Sequence, residues 1–106
     1  MALHYSSGMG SLHDKDKEGT IADIQYYLVE SDASKYTPKK WWGNFSTKQE
    51  LKQMGSYIYI IEFQNGRNGE CIVFASDEPP TEGLGTSRRY RYRFFSRGRL
   101  RSGGVF

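Results

Sequence analysis

Alternation of apolar and polar positions at period two dominates the middle and end of this chain. In residues 20–30, Ala22, Ile24, Tyr26 and Leu28 share one side of an extended segment, opposite Asp23, Gln25 and Tyr27. The same residues also fit a helix capped at Thr20, with Ile21, Ile24 and Leu28 on one face. The segment is short and its Tyr-Tyr-Leu-Val run suits a pleated surface, so a strand is expected. Residues 56–64 set Tyr57, Tyr59, Ile61 and Phe63 against Ile58, Ile60 and Glu62. Asn65–Gly69 then supplies residues that tolerate positive φ, and residues 70–76 return as the second arm of a hairpin. Both arms are apolar on nearly both faces, which predicts central positions in a sheet. Residues 88–96 alternate most sharply, with Arg89, Arg91 and Arg93 opposite Tyr90, Tyr92 and Phe94. Beyond them Arg97-Gly98 should turn, and Arg99-Leu100-Arg101 should pair briefly.

One segment departs from period two. Residues 46–55 carry a Thr47 and Glu50 capping box, an apolar edge of Leu51 and Met54, and a stop at Gly55. A two-turn helix is expected there, packed on the body because it is too short to stand alone. Residues 1–19 are rich in Gly, Ser and charge and read as a flexible lead-in. The expected organisation is that segment, a single domain over 20–101, and a frayed end at 102–106. The expected fold class is α+β: a small twisted antiparallel sheet of four or five strands with one short helix. Closure into a small barrel is the alternative, given many short strands and Gly-rich turns. The expected core is Ile24, Leu28, Leu51, Tyr59, Ile60, Ile61, Phe63, Ile72, Phe74, Tyr92 and Phe94.

Composition limits this picture. In 106 residues, Leu, Ile, Val and Phe number 21, low enough to put order in question, but 16 aromatics restore the capacity to bury area. There is no apolar run long enough to span a membrane. The first ten residues lack a basic stretch followed by an apolar one, so no signal peptide is expected. Cys71 is the single cysteine, within an apolar strand, and reads as a small buried hydrophobe. A cytoplasmic setting is expected, because a secreted domain this small ordinarily needs disulfides. His4 and His13 are the only histidines, so neither a metal site nor a cofactor is expected.

The charge distribution carries the functional lead. Residues 1–87 hold eight basic groups against all 12 acidic ones, and residues 88–106 hold seven Arg and no acid. The net charge of +3 therefore averages a body of −4 and a C-terminal block of +7. Arginine offers a planar fork of donors suited to phosphate and to stacking on rings. Arg89, Arg91 and Arg93, extended by Arg97, Arg99 and Arg101, are the candidate contacts to nucleic acid or another polyanion. The competing reading has these arginines paired to body carboxylates such as Glu62 or Glu70. Trp41 and Trp42 are the candidate aromatic platform, with core anchoring as the competing role.

Catalytic motifs are weak. Gly83–Ser87 lacks the lysine of a phosphate loop and precedes a strand, where such loops need a helix N-terminus. Glu50-Leu51-Lys52 matches only three residues of a nuclease pattern. Gly55-Ser56-Tyr57 resembles the opening of the GIY-YIG nuclease motif. Glu70-Cys71-Ile72 stands where its second half would be, so no activity is carried over. The expected function is a non-catalytic binding module for nucleic acid or another polyanion. The alternatives are a protein-interaction or homodimerising accessory protein, and a small ligand-binding barrel.

Overall fold

The alternation in sequence becomes the inside and outside of a barrel. The computed structural model describes residues 2–16, 19–77 and 89–102. Its strands are β1 (Leu3–Asp14), β2 (Thr20–Ser31), β3 (Trp41–Thr47), β4 (Ile58–Glu62), β5 (Asn68–Ala75) and β6 (Tyr90–Ser96). They close in the order β1-β2-β3-β6-β5-β4, each neighbouring pair antiparallel. No helix occurs among the described residues. This overturns the α+β expectation and agrees with the small-barrel alternative.

The expected helix over 46–55 fails for local reasons. Thr47 ends β3, and its hydroxyl donates to the Asp23 carbonyl at 2.8 Å. The Leu51 amide donates to the Tyr92 hydroxyl at 2.8 Å, and the Gly55 amide to the Val73 carbonyl at 2.8 Å. A two-turn helix satisfies few of its own amides. Here the barrel supplies their partners and keeps the segment irregular. Leu51 is thereby buried as a plug over one end of the barrel, with the Tyr59 hydroxyl on the Gln53 carbonyl beside it.

Residues 1–19 also depart from expectation, because they contribute β1. Its Ser and Gly residues carry little strand propensity, but its backbone pairs with β2 from Leu3↔Ser31 through His13↔Thr20. Only Ser11–Asp14 continue the pairing to β4, against Glu62 through Tyr59. This short seam closes the barrel. Leu3 to Gly10 run past it as an outer strand beside β2, which pairs on its other side with β3 over Gln25 to Glu30, and the molecule measures 49 × 30 × 26 Å. Two glycines permit the tight coil. A Cβ at Gly10 would collide with the Glu62 carbonyl oxygen, and one at Gly43 with the Tyr27 carbonyl oxygen.

Inside lie Leu12, Ile24, Tyr26, Leu28, Phe45, Tyr59, Ile61, Phe63, Cys71, Val73, Tyr92 and Phe94, all buried. A barrel of so few strands is filled by such side chains. Each fully buried Leu, Ile or Phe stabilises by roughly 1.5–3 kcal/mol. β2 follows its strand alternation, with Ala22, Ile24, Tyr26 and Leu28 inward. In β5 the inward residues are Cys71 and Val73, so Ile72 and Phe74, expected in the core, lie outside. The end opposite Leu51 is closed by Trp41, whose indole donates to the Gly98 carbonyl at 2.8 Å. There the chain after β6 turns back, and Arg101 pairs with Asn68 through bonds of 2.7 and 2.9 Å, the brief pairing expected.

Candidate nucleic-acid interface

The outer face follows from the parity of β6. Tyr92 and Phe94 are buried, which sends Arg91, Arg93 and Phe95 outward. Register then fixes what stands beside each. Arg93 lies between Asn44 of β3 and Phe74 of β5, with Tyr27 of β2 one strand further. Phe95 lies between Trp42 and Ile72, in a row that continues to Val29 on one side and Ile58 on the other. Arg91 lies beside Ser46, itself beside Gln25. Directly opposed side chains in such a sheet sit about 4.5–5.5 Å apart at Cβ, so these groups form one continuous surface.

This surface is aromatic as well as basic. Tyr27 is 59% exposed, Phe95 39% and Phe74 38%. Phe74 and Phe95 meet edge to face with ring centroids 5.9 Å apart. The tryptophans divide between the two sides of β3. Trp41 is 2% exposed and packs on Phe63 and Phe94, so it has no face to offer a ligand. Trp42 is half-buried on the outer face.

The arginines differ from one another. Arg89 is held by Ser46, its Nε donating to Oγ and its Nη2 to the carbonyl, both at 3.1 Å. Arg91 is exposed beside Gln25, Tyr27, Asn44 and Ser46 in a shallow depression. Arg93, Arg97, Arg99 and Arg101 are exposed, and no described carboxylate lies within 4 Å of them. Arg97, Arg99 and Arg101 border a cleft of about 350 Å³ with Asn68, Glu70 and Leu100. The cationic stripe thus has two parts, Arg91 and Arg93 on one side of the Trp42–Phe95–Ile72 row and the three later arginines beyond its other side.

Body carboxylates named as rival partners face other groups. Glu70 meets Lys15 at 3.2 Å, and Glu62 meets His13 at 3.6 Å. Glu30, 7% exposed, takes both Arg67 guanidinium nitrogens at 2.7 and 2.8 Å and Lys39 at 3.5 Å. The Arg67 hydrogen bonds outweigh burial and hold the Glu30 carboxyl below the ordinary carboxylate range. Asp14 accepts from the Tyr57 hydroxyl, and Asp32 pairs with His4 at 2.8 Å.

Chemistry at the other groups is limited. Cys71 is fully buried, and burial pushes its thiol up to about 12, far from a reactive thiolate. Among the described residues no cluster of three or more His, Cys, Asp or Glu could hold a metal ion. No described helix is long and apolar enough to cross a membrane. Gly83–Ser87 lies outside the described residues.

Sequence reasoning singled out Arg91, Arg93 and Trp42 but missed Tyr27, Asn44, Phe74 and Phe95. Phe95 was within reach, because extending the Arg91–Arg93 parity by one step puts it on the same side. Phe74 was not, because its neighbours are apolar on both faces. Comparison with protein-family models, with curated proteins and with solved structures gave no match.

Proposed function

We propose that this protein is a non-catalytic binding module that contacts nucleic acid through the outer face of β2, β3, β6 and β5. The observation that carries the reading is Arg93, exposed without a described carboxylate partner and flanked in register by Asn44 and Phe74. Guanidinium groups supply phosphate contacts, and adjacent rings and an amide supply contacts that phosphate alone does not need. Arg91 and the arginines after β6 extend the cationic field.

Electrophoretic shift with random-sequence DNA and RNA, at about 50 and 200 mM salt, tests this. Affinity should fall steeply between the two, because each neutralised phosphate releases counterions. Replacing Arg91 and Arg93 by Gln should weaken binding across all sequences and flatten the salt slope by about two contacts. Absent or salt-insensitive binding overturns the proposal.

A second reading has its own observation. Among the described residues no strand pairs with the side of β1 away from β2 from Leu3 to Ser7, where Leu3 and Tyr5 are exposed and the strand holds no lysine or proline. An open edge of this kind accepts another strand, so pairing with a second copy or another protein is the alternative. Light scattering that shows monomer at all concentrations, with no partner copurifying, counts against it.

A further inference from the structure

We infer that the ligand of the outer face is a single-stranded nucleic acid, its bases stacked on Phe74, Phe95, Trp42 and Tyr27; this deepens the nucleic-acid reading and rests on it. A duplex offers phosphates and groove edges, while the faces of its bases are covered by their neighbours in the stack. Arginine alone suffices for phosphates. Phenylalanine has no polar group, so an exposed Phe on the ligand-facing side contributes only where an apolar or π surface is presented to it. Phe74 and Phe95 are such residues, 38% and 39% exposed on strands paired on both sides.

Spacing and shape agree. Along β6 the outward positions run Arg91, Arg93, Phe95, each about 6.8 Å from the last. Cation and ring therefore alternate along one line, with Asn44 beside Arg93 to donate and accept at a base edge. The sheet closes on itself as a barrel, so this face is curved. A single strand bends to follow such a surface. A duplex, stiff over a persistence length of about 50 nm, would touch it at few phosphates.

The test measures fluorescence anisotropy of short random-sequence single strands, DNA and RNA, and of the matching DNA duplex, at one salt concentration. The wild type is compared with Phe74→Ala/Phe95→Ala, with Phe74→Leu/Phe95→Leu and with Arg93→Gln. Circular dichroism checks that each variant is folded. Single strands should bind about tenfold more tightly than duplex. The double alanine variant should lose about 10–100-fold of single-strand affinity and little of duplex affinity. The double leucine variant keeps the apolar bulk but lacks the π faces, so it should not restore binding. Arg93→Gln should weaken both forms alike. Duplex binding equal to single-strand binding, or single-strand binding insensitive to the Phe variants, overturns the inference and leaves the nucleic-acid reading standing. No binding to either form overturns both, and points to an acidic protein surface as the occupant.

Discussion

At the residue scale, the Glu30–Arg67 pair links two parts of the barrel that are remote in sequence. Glu30 ends the barrel face of β2, and Arg67 lies in the turn between β4 and β5. The fork is bidentate and the carboxylate largely buried, so removing Arg67 leaves it only the longer contact to Lys39 at 3.5 Å. Arg67→Ala should cost about 3 kcal/mol in urea unfolding, while an exposed lysine such as Lys35 should cost nothing measurable. The pH dependence follows from the lowered carboxyl. In the unfolded chain Glu30 takes up its proton at the ordinary carboxylate value, and in the folded protein only at a lower pH. The stabilisation is therefore complete above the ordinary value and is lost as pH falls through the depressed one. Arg67→Ala should accordingly lose part of the acid-side slope of the wild type. A variant with the same stability and slope would show the pair to be inert.

At the element scale, β1 decides whether the sheet is closed. Its last four residues form the whole seam with β4, and Leu12 fills the interior there. Truncation before Ser11 removes the part of β1 that pairs with β2 alone, leaves β2 paired with β3, and should leave a folded barrel of lower stability. Truncation before Lys15 opens the seam, exposes Tyr59 and Ile61 and strands the Tyr57 hydroxyl that Asp14 accepts. It should abolish the cooperative urea transition, and a cooperative transition in that variant would show that the barrel does not need its seam. The same element shows what was illegible in sequence. β1 is a strand because β2 offers it a backbone edge, and no side-chain pattern records that. The segment after β3 shows the converse. Its capping box is a genuine local signal, overridden when the Tyr92 hydroxyl and the Val73 carbonyl take up the amide bonds of Leu51 and Gly55. Where polar and apolar residues alternate cleanly, as in β2 and β6, inside and outside followed from the sequence. In β5, Cys71-Ile72-Val73-Phe74 gives no contrast, and only the packed barrel chooses Cys71 and Val73 for the core.

At the scale of the whole molecule, the basic C-terminal block and the acidic body pose one question: whether they hold each other. The described carboxylates answer locally. Glu30, Glu62, Glu70 and Asp32 each face a cation or histidine within residues 1–87. The arginines that follow β6 share the lining of one cleft instead, on a surface where charge interacts over about 10 Å at 0.1 M salt. These two arrangements give salt effects of opposite sign. Were the body's acids the partners of the block, screening would weaken the fold and the melting temperature would fall with salt. With the arginines in a like-charged group, screening relieves their repulsion, and the melting temperature should stay level or rise by a few degrees between about 50 and 500 mM salt. Replacing Arg97, Arg99 and Arg101 together by Gln should remove that rise without lowering stability at low salt. Ligand affinity should move the other way, because counterion release opposes binding as salt increases. A stability that falls with salt in parallel with affinity would return the block to the body and leave the outer face without its cations.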